Sequence, residues 1–173
     1  MRSFKGFTRQ LEEELATTIH VLVGTMSGSA EIVAEDLCAA ITADSDHQAE
    51  MLLMDDLDES VFERDGIFLI CTSTYGQGEV PDNAVDFFKA IETAKPDLSH
   101  IRYGVFGLGD MAYADTFNFG GKRFDDLLSS LGAKRIGERA RHDASGPDAP
   151  EEAALVWLKD WLPQVDAALC DAA

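Results

Sequence analysis

The chain has 173 residues, and its 32 Asp and Glu side chains against 14 Lys and Arg give a formal net charge of −18. That length suits one globular domain, and a hydrophobic share of 46% is typical of a folded chain. So large an acidic excess repels the phosphates of nucleic acids and of anionic membranes, and we expect neither as a partner. A basic protein surface would be attracted.

The N-terminal residues and the cysteines indicate a cytoplasmic protein. Residues 1–17 contain no apolar run of the length that a secretory signal needs, and no stretch reaches the roughly 18 apolar residues of a membrane span. The sequence has three widely spaced cysteines, Cys38, Cys71 and Cys170. Their odd number and wide spacing favour reduced thiols over disulfides. We expect residues 1–17 to be an N-terminal extension, disordered or helical, and residues 18–173 to form the domain.

Strand-like and helix-like segments alternate along the rest of the chain. Short apolar runs predict five strands, at residues 19–25, 50–57, 66–74, 102–109 and 133–140. The helix after the first strand has Ile32, Val33, Leu37 and Ile41 on its predicted buried face. Asp82 is the predicted N-cap of the helix after the third strand. The last helix is predicted from about 150 to 169, with Pro163 as a kink or an end.

This alternation predicts a three-layer α/β fold in which a five-stranded parallel sheet carries helices on both faces. In such a sheet, ligands bind beyond the carboxyl ends of the strands, near a switch in strand order. The loops that follow the first, third and fourth strands are therefore the candidate site.

The first of these loops has the composition of a phosphate-binding turn. Three hydroxyl side chains and a glycine lie in the six residues Thr25, Met26, Ser27, Gly28, Ser29 and Ala30, directly before a helix. The free N–H groups and the dipole of a helix N-terminus bind phosphate. The loop has no Lys or Arg and lacks the P-loop pattern. A helix capped by a Ser or Thr side chain is the alternative interpretation.

The other two loops each combine glycines with one tyrosine. Tyr75 follows the third strand, between Thr74 and Gly76, and Tyr113 follows the fourth strand. A tyrosine offers a flat face for stacking together with a polar tip. Because both loops lie at the same edge of the predicted sheet, the two rings could enclose a planar ligand.

These segments resemble the flavodoxin superfamily, in particular its MioC-type free-standing proteins and the FMN domains of diflavin reductases. The run from Ser73 to Ala84 matches the family pattern S-T-Y-G-x-G-x-x-P-D-N-A. The first loop matches T/S-x-T-G-x-A, with Ser27 in place of the usual threonine. The segment from Phe106 to Asp110, with Tyr113 beyond it, matches the third loop of the family, and one extra residue precedes Phe117 and Asn118.

The resemblance implies a flavodoxin-like strand order, 2-1-3-4-5, and FMN as the cofactor. The first loop would hold the phosphate, Tyr75 would cover one face of the flavin ring and Tyr113 the other. The full set of cofactor-binding residues that it implies is Thr25, Met26, Ser27, Gly28, Ser29, Ala30, Thr72, Ser73, Thr74, Tyr75, Gly76, Gly78, Leu108, Gly109, Asp110, Tyr113, Phe117, Asn118 and Asp143.

An FMN electron carrier is the function that follows from the resemblance. The chain has no second dinucleotide domain, so a separate NAD(P)H-dependent flavin reductase would supply electrons and a redox acceptor protein would receive them. Basic docking surfaces on both would suit the acidic charge, and we expect a monomer. No catalytic nucleophile–base pair and no metal-ligand spacing is present in the sequence.

Three alternatives differ in class. A flavin-dependent NAD(P)H:quinone oxidoreductase would oxidise NAD(P)H directly, and a non-redox interaction module would keep the fold without the flavin. A response-regulator receiver needs paired acids after the first strand and an aspartate at the end of the third. Thr25 and Thr72 occupy those places, which argues against a receiver.

Overall fold

A computed structural model describes residues 16–172 and contains one parallel sheet. In these residues the strands run in the order β2-β1-β3-β4-β5. A sixth strand, β6, pairs with the later part of β4, whereas β5 pairs with its start. This confirms the predicted fold class and the order 2-1-3-4-5. The bounds are β1 (Thr18–Gly24), β2 (Gln48–Leu53), β3 (Ile67–Thr72), β4 (Arg102–Gly109), β5 (Lys134–Arg135) and β6 (Ala140–Asp143). Most of the predicted extension, residues 1–15, lies outside the described part.

Helices cover both faces of the sheet. The bounds are α1 (Ser29–Asp44), α2 (Val85–Ala94), α3 (Phe119–Ser130) and α4 (Pro150–Ala172). Successive residues of a strand point to opposite faces, so Val21 packs with α1 and α4 while its neighbour Leu22 packs with α2 and α3. Two separate hydrophobic cores result, one on each face. None of these helices between residues 16 and 172 combines the length and apolarity of a membrane span.

The predicted fifth strand is broken into two short strands. Lys134–Arg135 pairs with the start of β4, and Ala140–Asp143 pairs with its end. Between them the Ile136 carbonyl accepts a hydrogen bond from the Trp161 indole at 2.9 Å, and Gly137 turns the chain at φ 70°. The carbonyl that would continue the ladder is therefore bound by a side chain of α4.

Two local predictions about the helices are wrong, and one of the two alternatives for Pro163 is excluded. Ile32 is exposed, and the buried face of α1 is instead completed by Ala30 and Ala34. Asp82 is no N-cap: it opens a single 3₁₀ turn before α2, and its side chain makes no capping hydrogen bond. Pro163 does not end α4, which continues to Ala172. It lies on the exposed side of the helix, where water can reach the carbonyl that its missing N–H leaves unpaired.

Candidate functional site

A cleft of about 550 Å³ opens at the carboxyl ends of β1, β3 and β4. Its volume is in the range of small-molecule and cofactor sites. All three loops that the sequence singled out contribute to its wall. The lining residues are Ser27, Ser29, Ser73, Thr74, Gly76, Leu108, Gly109, Asp110, Tyr113, Thr116, Phe117, Asn118, His142, Ala144, Asp148 and Pro150.

The first loop leaves the N-terminus of α1 open toward this cleft. Gly28 is the N-cap residue in a left-handed conformation, φ 91°, and no side chain caps the helix. The Thr25 hydroxyl accepts a hydrogen bond from the Gly28 N–H at 2.9 Å and so shapes the loop instead of capping the helix. The alternative of a Ser- or Thr-capped helix is therefore wrong. The first-turn N–H groups of α1 lack helical acceptors and can serve a ligand.

Asn83 connects the first loop to the loop after β3. Its Oδ1 accepts from the Thr25 N–H at 2.7 Å, and its Nδ2 donates to the Val23 carbonyl at 3.1 Å. One side-chain amide thus satisfies two backbone groups at the end of β1. Sequence reasoning did not assign Asn83 this role, because the contact depends on the direction of its side chain in the folded loop.

Replacing Asn83 by alanine is expected to weaken FMN binding by at least about tenfold, because the Thr25 N–H of the first loop and the Val23 carbonyl of β1 lose their partner. The measurement is the Kd from quenching of FMN fluorescence by the flavin-free protein. Asp82→Ala is the matched control, since this exposed neighbour makes no side-chain hydrogen bond to the loop. Equal Kd values for the two variants would contradict the role given to Asn83.

The loop after β3 is a tight antiparallel turn that presents Tyr75. The Tyr75 N–H donates to the Glu79 carbonyl at 2.9 Å, and the Glu79 N–H donates back at 2.8 Å. Gly76 and Gly78 adopt left-handed conformations, φ 55° and 94°, that disfavour other residues. Tyr75 is 48% exposed beside the cleft-lining residues Thr74 and Gly76.

The loop after β4 presents the second tyrosine. Asp110 caps a short 3₁₀ turn by accepting from the Ala112 N–H at 2.8 Å. Tyr113, within that turn, is 68% exposed and lines the cleft. The two tyrosines are thus among the most exposed large hydrophobic side chains of the described residues, and each lies at the cleft.

Asp143 supports this loop from outside the cleft wall. Its carboxylate accepts from the Met111 N–H at 2.9 Å and from the Ser145 hydroxyl at 2.7 Å. Hydrogen bonding, first from Met111 and then from Ser145, lowers the pKa of Asp143 below its ordinary value of 3.8. The structure therefore shows a loop-supporting role for Asp143; the sequence-level expectation was a direct cofactor contact.

Asp143→Asn is expected to destabilise the flavin-free protein at neutral pH, with a difference from wild type that shrinks in acid. A carboxyl whose pKa is lower in the folded chain binds fewer protons when folded. Its contribution is therefore present above the unfolded value of 3.8 and is lost as the pH falls through the folded pKa. Urea midpoints across pH 7 to about 3 test this, with the exposed Asp148→Asn as control. A difference that stayed constant across that range would refute the assignment.

Asn118 carries an unpaired acceptor at the base of the cleft. It is fully buried, and its Oδ1 is a buried side-chain atom for which the described residues provide no hydrogen-bond partner. Its Nδ2 donates to the His142 carbonyl at 3.0 Å. A Cβ on Gly107 would overlap the Oδ1, so only a glycine at this position of β4 leaves room for the buried oxygen. A buried unpaired oxygen costs free energy unless a ligand donates to it.

The structure separates the predicted site residues into two groups. Most of them line the cleft. The others lie behind or beside its wall: Thr25, Met26, Gly28, Ala30, Thr72, Tyr75, Gly78 and Asp143. Lining residues that the sequence reasoning missed are Thr116, His142, Ala144, Asp148 and Pro150. The last four lie in β6 or follow it, beyond residue 140, where the predicted fifth strand ends.

The cleft wall carries two carboxylates and no Lys or Arg side chain. Asp110 and Asp148 are among the lining residues, whereas Lys and Arg are not. A phosphate here would be held by hydroxyl and backbone N–H donors. Residues 16–172 also contain no group of three His, Cys, Asp or Glu side chains placed to hold a metal ion.

Comparison with known proteins gives a consistent result. The family model described as flavodoxin matches residues 21–157. Flavodoxin YqcA of Escherichia coli (strain K12) is 38% identical over 143 residues, which cover 83% of this chain and 95% of that protein. Protein MioC of the same strain is 36% identical over 149 residues, with the same two coverages of 83% and 95%.

A diflavin enzyme and a solved structure extend this likeness. The sulfite reductase [NADPH] flavoprotein alpha-component of Zymomonas mobilis is 34% identical over 145 residues, which cover only 23% of its length. The structure of a cysteine-to-alanine mutant of flavodoxin from Pseudomonas aeruginosa superposes with a TM-score of 0.77 at 34% identity, covering 86% of this chain and 98% of that one.

The open helix N-terminus, the unpaired Asn118 oxygen and the two exposed tyrosines fit a ligand that has a phosphate, hydrogen-bond donors and a planar ring. FMN, the cofactor of flavodoxins, has all three. The family match spans most of the domain, and the fold and strand order agree with it. This chain is therefore a member of the flavodoxin family, the FMN-binding electron carriers.

Proposed function

We propose that the cleft binds one FMN and that the protein, as a monomer, carries electrons from a separate NAD(P)H-dependent reductase to a redox acceptor protein. The observation that carries this proposal is the buried, unpaired Oδ1 of Asn118 in a cleft that also receives the open N-terminus of α1. An acceptor and a set of donors are thus held ready at one site.

The phosphate is assigned to the first loop. Ser27 and Ser29 line the cleft, with their hydroxyls 3.3 Å apart, and either can donate to an anion. Ala30 is the second residue of α1, so its backbone N–H belongs to the open first turn. Thr25, Met26 and Gly28 complete the loop and hold its shape. Neutral donors and the helix dipole together bind the phosphate without a cationic side chain.

The flavin ring is assigned to the space between Tyr75 and Tyr113. The loop after β3 contributes Ser73, Thr74 and Gly76 to the cleft lining, and Thr72 and Gly78 belong to the same segment of the chain. The end of β4 and the loop after it contribute Leu108, Gly109, Asp110 and Phe117. Aromatic rings stack in offset or tilted arrangements, and the exposed tyrosines can adjust to a planar ligand at little cost.

Bound FMN supplies the redox chemistry, because it accepts and donates electrons singly or in pairs. The protein binds and orients the ring, covers its faces and excludes water from them. Asp110 and Asp148, in a chain of net charge −18, set a negative potential around the cleft. That potential disfavours added negative charge on anything bound there, so proton uptake would favour reduction.

The same negative potential supports docking on basic partners. Exposed apolar side chains, Met26, Tyr75, Met111 and Tyr113, lie on the loops around the cleft. An apolar rim on an acidic surface suits brief complexes in which charge brings the partners together and salt weakens their association. We therefore assign this rim as the surface through which electrons enter and leave.

Stopped-flow mixing of the FMN-loaded protein with NADPH tests the proposed function. Without a reductase, the flavin absorbance should bleach very slowly. With a catalytic amount of an NADPH-dependent flavoprotein reductase it should bleach fully, at a rate that falls with added salt. Rapid direct oxidation of NADPH would instead identify a quinone-reductase type of enzyme. A protein that fails to bind FMN would be a non-redox module.

A further inference from the structure

Asn118 is held in an unusual backbone conformation at the N-terminus of α3. It adopts a left-handed geometry, φ 58° and ψ 26°, and is one of two non-glycine residues with positive φ in residues 16–172. Such a conformation costs free energy and persists only where the surroundings fix it. Gly109 makes room for the Asn118 backbone, since a Cβ on Gly109 would lie 2.8 Å from the Asn118 backbone nitrogen.

Arg139 provides one of the contacts that fix Asn118. Its Nη1 donates to the Asn118 carbonyl at 3.1 Å, and its side chain is 18% exposed. The carbonyl also accepts from the Lys122 N–H of α3 at 3.1 Å, so the guanidinium binds beside a helical hydrogen bond. Arg139 lies in the segment between β5 and β6, which the sequence reasoning did not connect with the site.

The position of Arg139 is set in turn by a buried carboxylate. Asp125 Oδ2 lies 4.0 Å from the Arg139 Nε, and Asp125 Oδ1 accepts from the fully buried Tyr103 hydroxyl at 2.6 Å. Burial, and then the hydrogen bond to Asp125, raise the pKa of the Tyr103 hydroxyl. The hydroxyl therefore remains a donor, and the core fixes the carboxylate.

Charge compensation of Asp125 does not require Arg139. Arg135 forms a direct ion pair with the same Oδ2 and is the nearer cation. The hydrogen bond of Arg139 is instead made to Asn118. Burial of a guanidinium is costly, and burial lowers the pKa of Arg139. A half-buried Arg whose hydrogen bond is directed at the Asn118 carbonyl points to a structural role at that carbonyl.

We propose that Arg139 is a positioning residue that holds the left-handed turn at Asn118, and with it the unpaired Oδ1, at the base of the cofactor cleft. This inference rests on the proposed function, in which FMN donates to that oxygen from a ribityl hydroxyl or from its ring N–H. Without the guanidinium, we expect the left-handed turn at Asn118 to relax and the amide to lose its position at the base of the cleft. Arg139 itself lies behind the cleft wall and does not contact the cofactor.

The test is a double-mutant cycle on the Kd for FMN, measured by fluorescence quenching with Asn118→Ala, Arg139→Gln and the two combined. Each single variant should raise the Kd for FMN by at least about tenfold, because each loses one well-placed hydrogen bond. In the Asn118→Ala background, Arg139→Gln should change the Kd by less than about twofold, because its effect passes through the Asn118 side chain.

Two further variants separate positioning from charge and from folding. Arg141→Gln removes the same charge from the exposed neighbour on β6 and should leave the Kd within about twofold. Arg139→Lys keeps a donor for the carbonyl and should restore most of the affinity. Urea unfolding of the flavin-free variants shows whether each is folded at the temperature of the titration.

The outcomes distinguish this inference from the function on which it rests. If the wild-type protein binds no FMN, the proposed function fails. If wild type binds and Asn118→Ala is impaired while Arg139→Gln is not, only the positioning role fails. Equal effects of Arg139→Gln in both backgrounds, or of Arg141→Gln and Arg139→Gln, would also overturn it.

Discussion

Replacing Gly120 by alanine is expected to weaken FMN binding by about a hundredfold, whereas the same replacement at Gly121 leaves the Kd within about threefold. Both glycines lie in the first turn of α3 and both are buried. Alanine favours a helix over glycine by about 1 kcal/mol, so neither change should harm the helix itself. The difference comes from what each new methyl group meets.

At Gly120 the methyl group would overlap the Ser73 carbonyl oxygen and lie 3.1 Å from the Thr74 Oγ1. The Gly120 N–H donates to that same Oγ1 at 3.0 Å, so helix and loop are in direct contact. Ser73 and Thr74 line the cleft. The loop must move away from α3, and the loss of about two well-placed contacts to FMN corresponds to about a hundredfold in Kd.

At Gly121 the nearest atom to the added methyl group is Val105 Cγ1 at 3.3 Å, and a small shift of that side chain relieves the contact. The Kd for FMN and the urea midpoint of each flavin-free variant are the measurements. If Gly120→Ala bound FMN as tightly as Gly121→Ala does, the packing of α3 on the loop would not determine the shape of the site.

Trp161→Ala is expected to lower the free energy of unfolding of the flavin-free protein by about 3–5 kcal/mol. Trp161 is fully buried in the core formed by α1 and α4, and its ring stacks on Trp157 at 5.1 Å. It lies directly over Gly104, where a Cβ would be only 2.5 Å from the indole. Truncation leaves a cavity that these rigid neighbours cannot fill.

Trp161→Phe separates packing from hydrogen bonding. It keeps most of the ring but leaves the Ile136 carbonyl without the indole donor, and about 1–3 kcal/mol is the expected loss. Val156→Ala, at a 65% exposed position of the same helix, should cost less than about 0.5 kcal/mol. Urea unfolding followed by circular dichroism measures all three. A Trp161→Ala loss no larger than that of Val156→Ala would refute this account of the core.

Continuous apolar strands, and the helices that alternate with most of them, were enough to predict the parallel sheet, because both are local patterns. The predicted fourth strand, 102–109, agrees with β4 at both ends. The predicted fifth strand failed for a non-local reason. Trp161 binds the Ile136 carbonyl from 25 residues away, and no pattern within 133–140 reports that contact.

The same distinction holds within the site. Ser27, Ser73 and Tyr113 could be placed from their position after a strand, since parallel strands end at one edge of the sheet. The supporting contacts of Asn83 and Arg139 could not be predicted, because they are made across elements that only the tertiary fold brings together. Asp143 was placed at the correct edge, but its hydrogen bond to Met111 depends on a side-chain direction that the sequence does not encode locally.

Titration of the flavin-free protein with FMN, compared with riboflavin, is the most direct test of this account of the cleft. Quenching of flavin fluorescence should reach an end point at one FMN per chain. Riboflavin lacks the phosphate assigned to the N-terminus of α1, and it should bind at least about a hundredfold more weakly. Absence of FMN binding, or equal affinity for the two flavins, would contradict the assignment of the cleft and of its first loop.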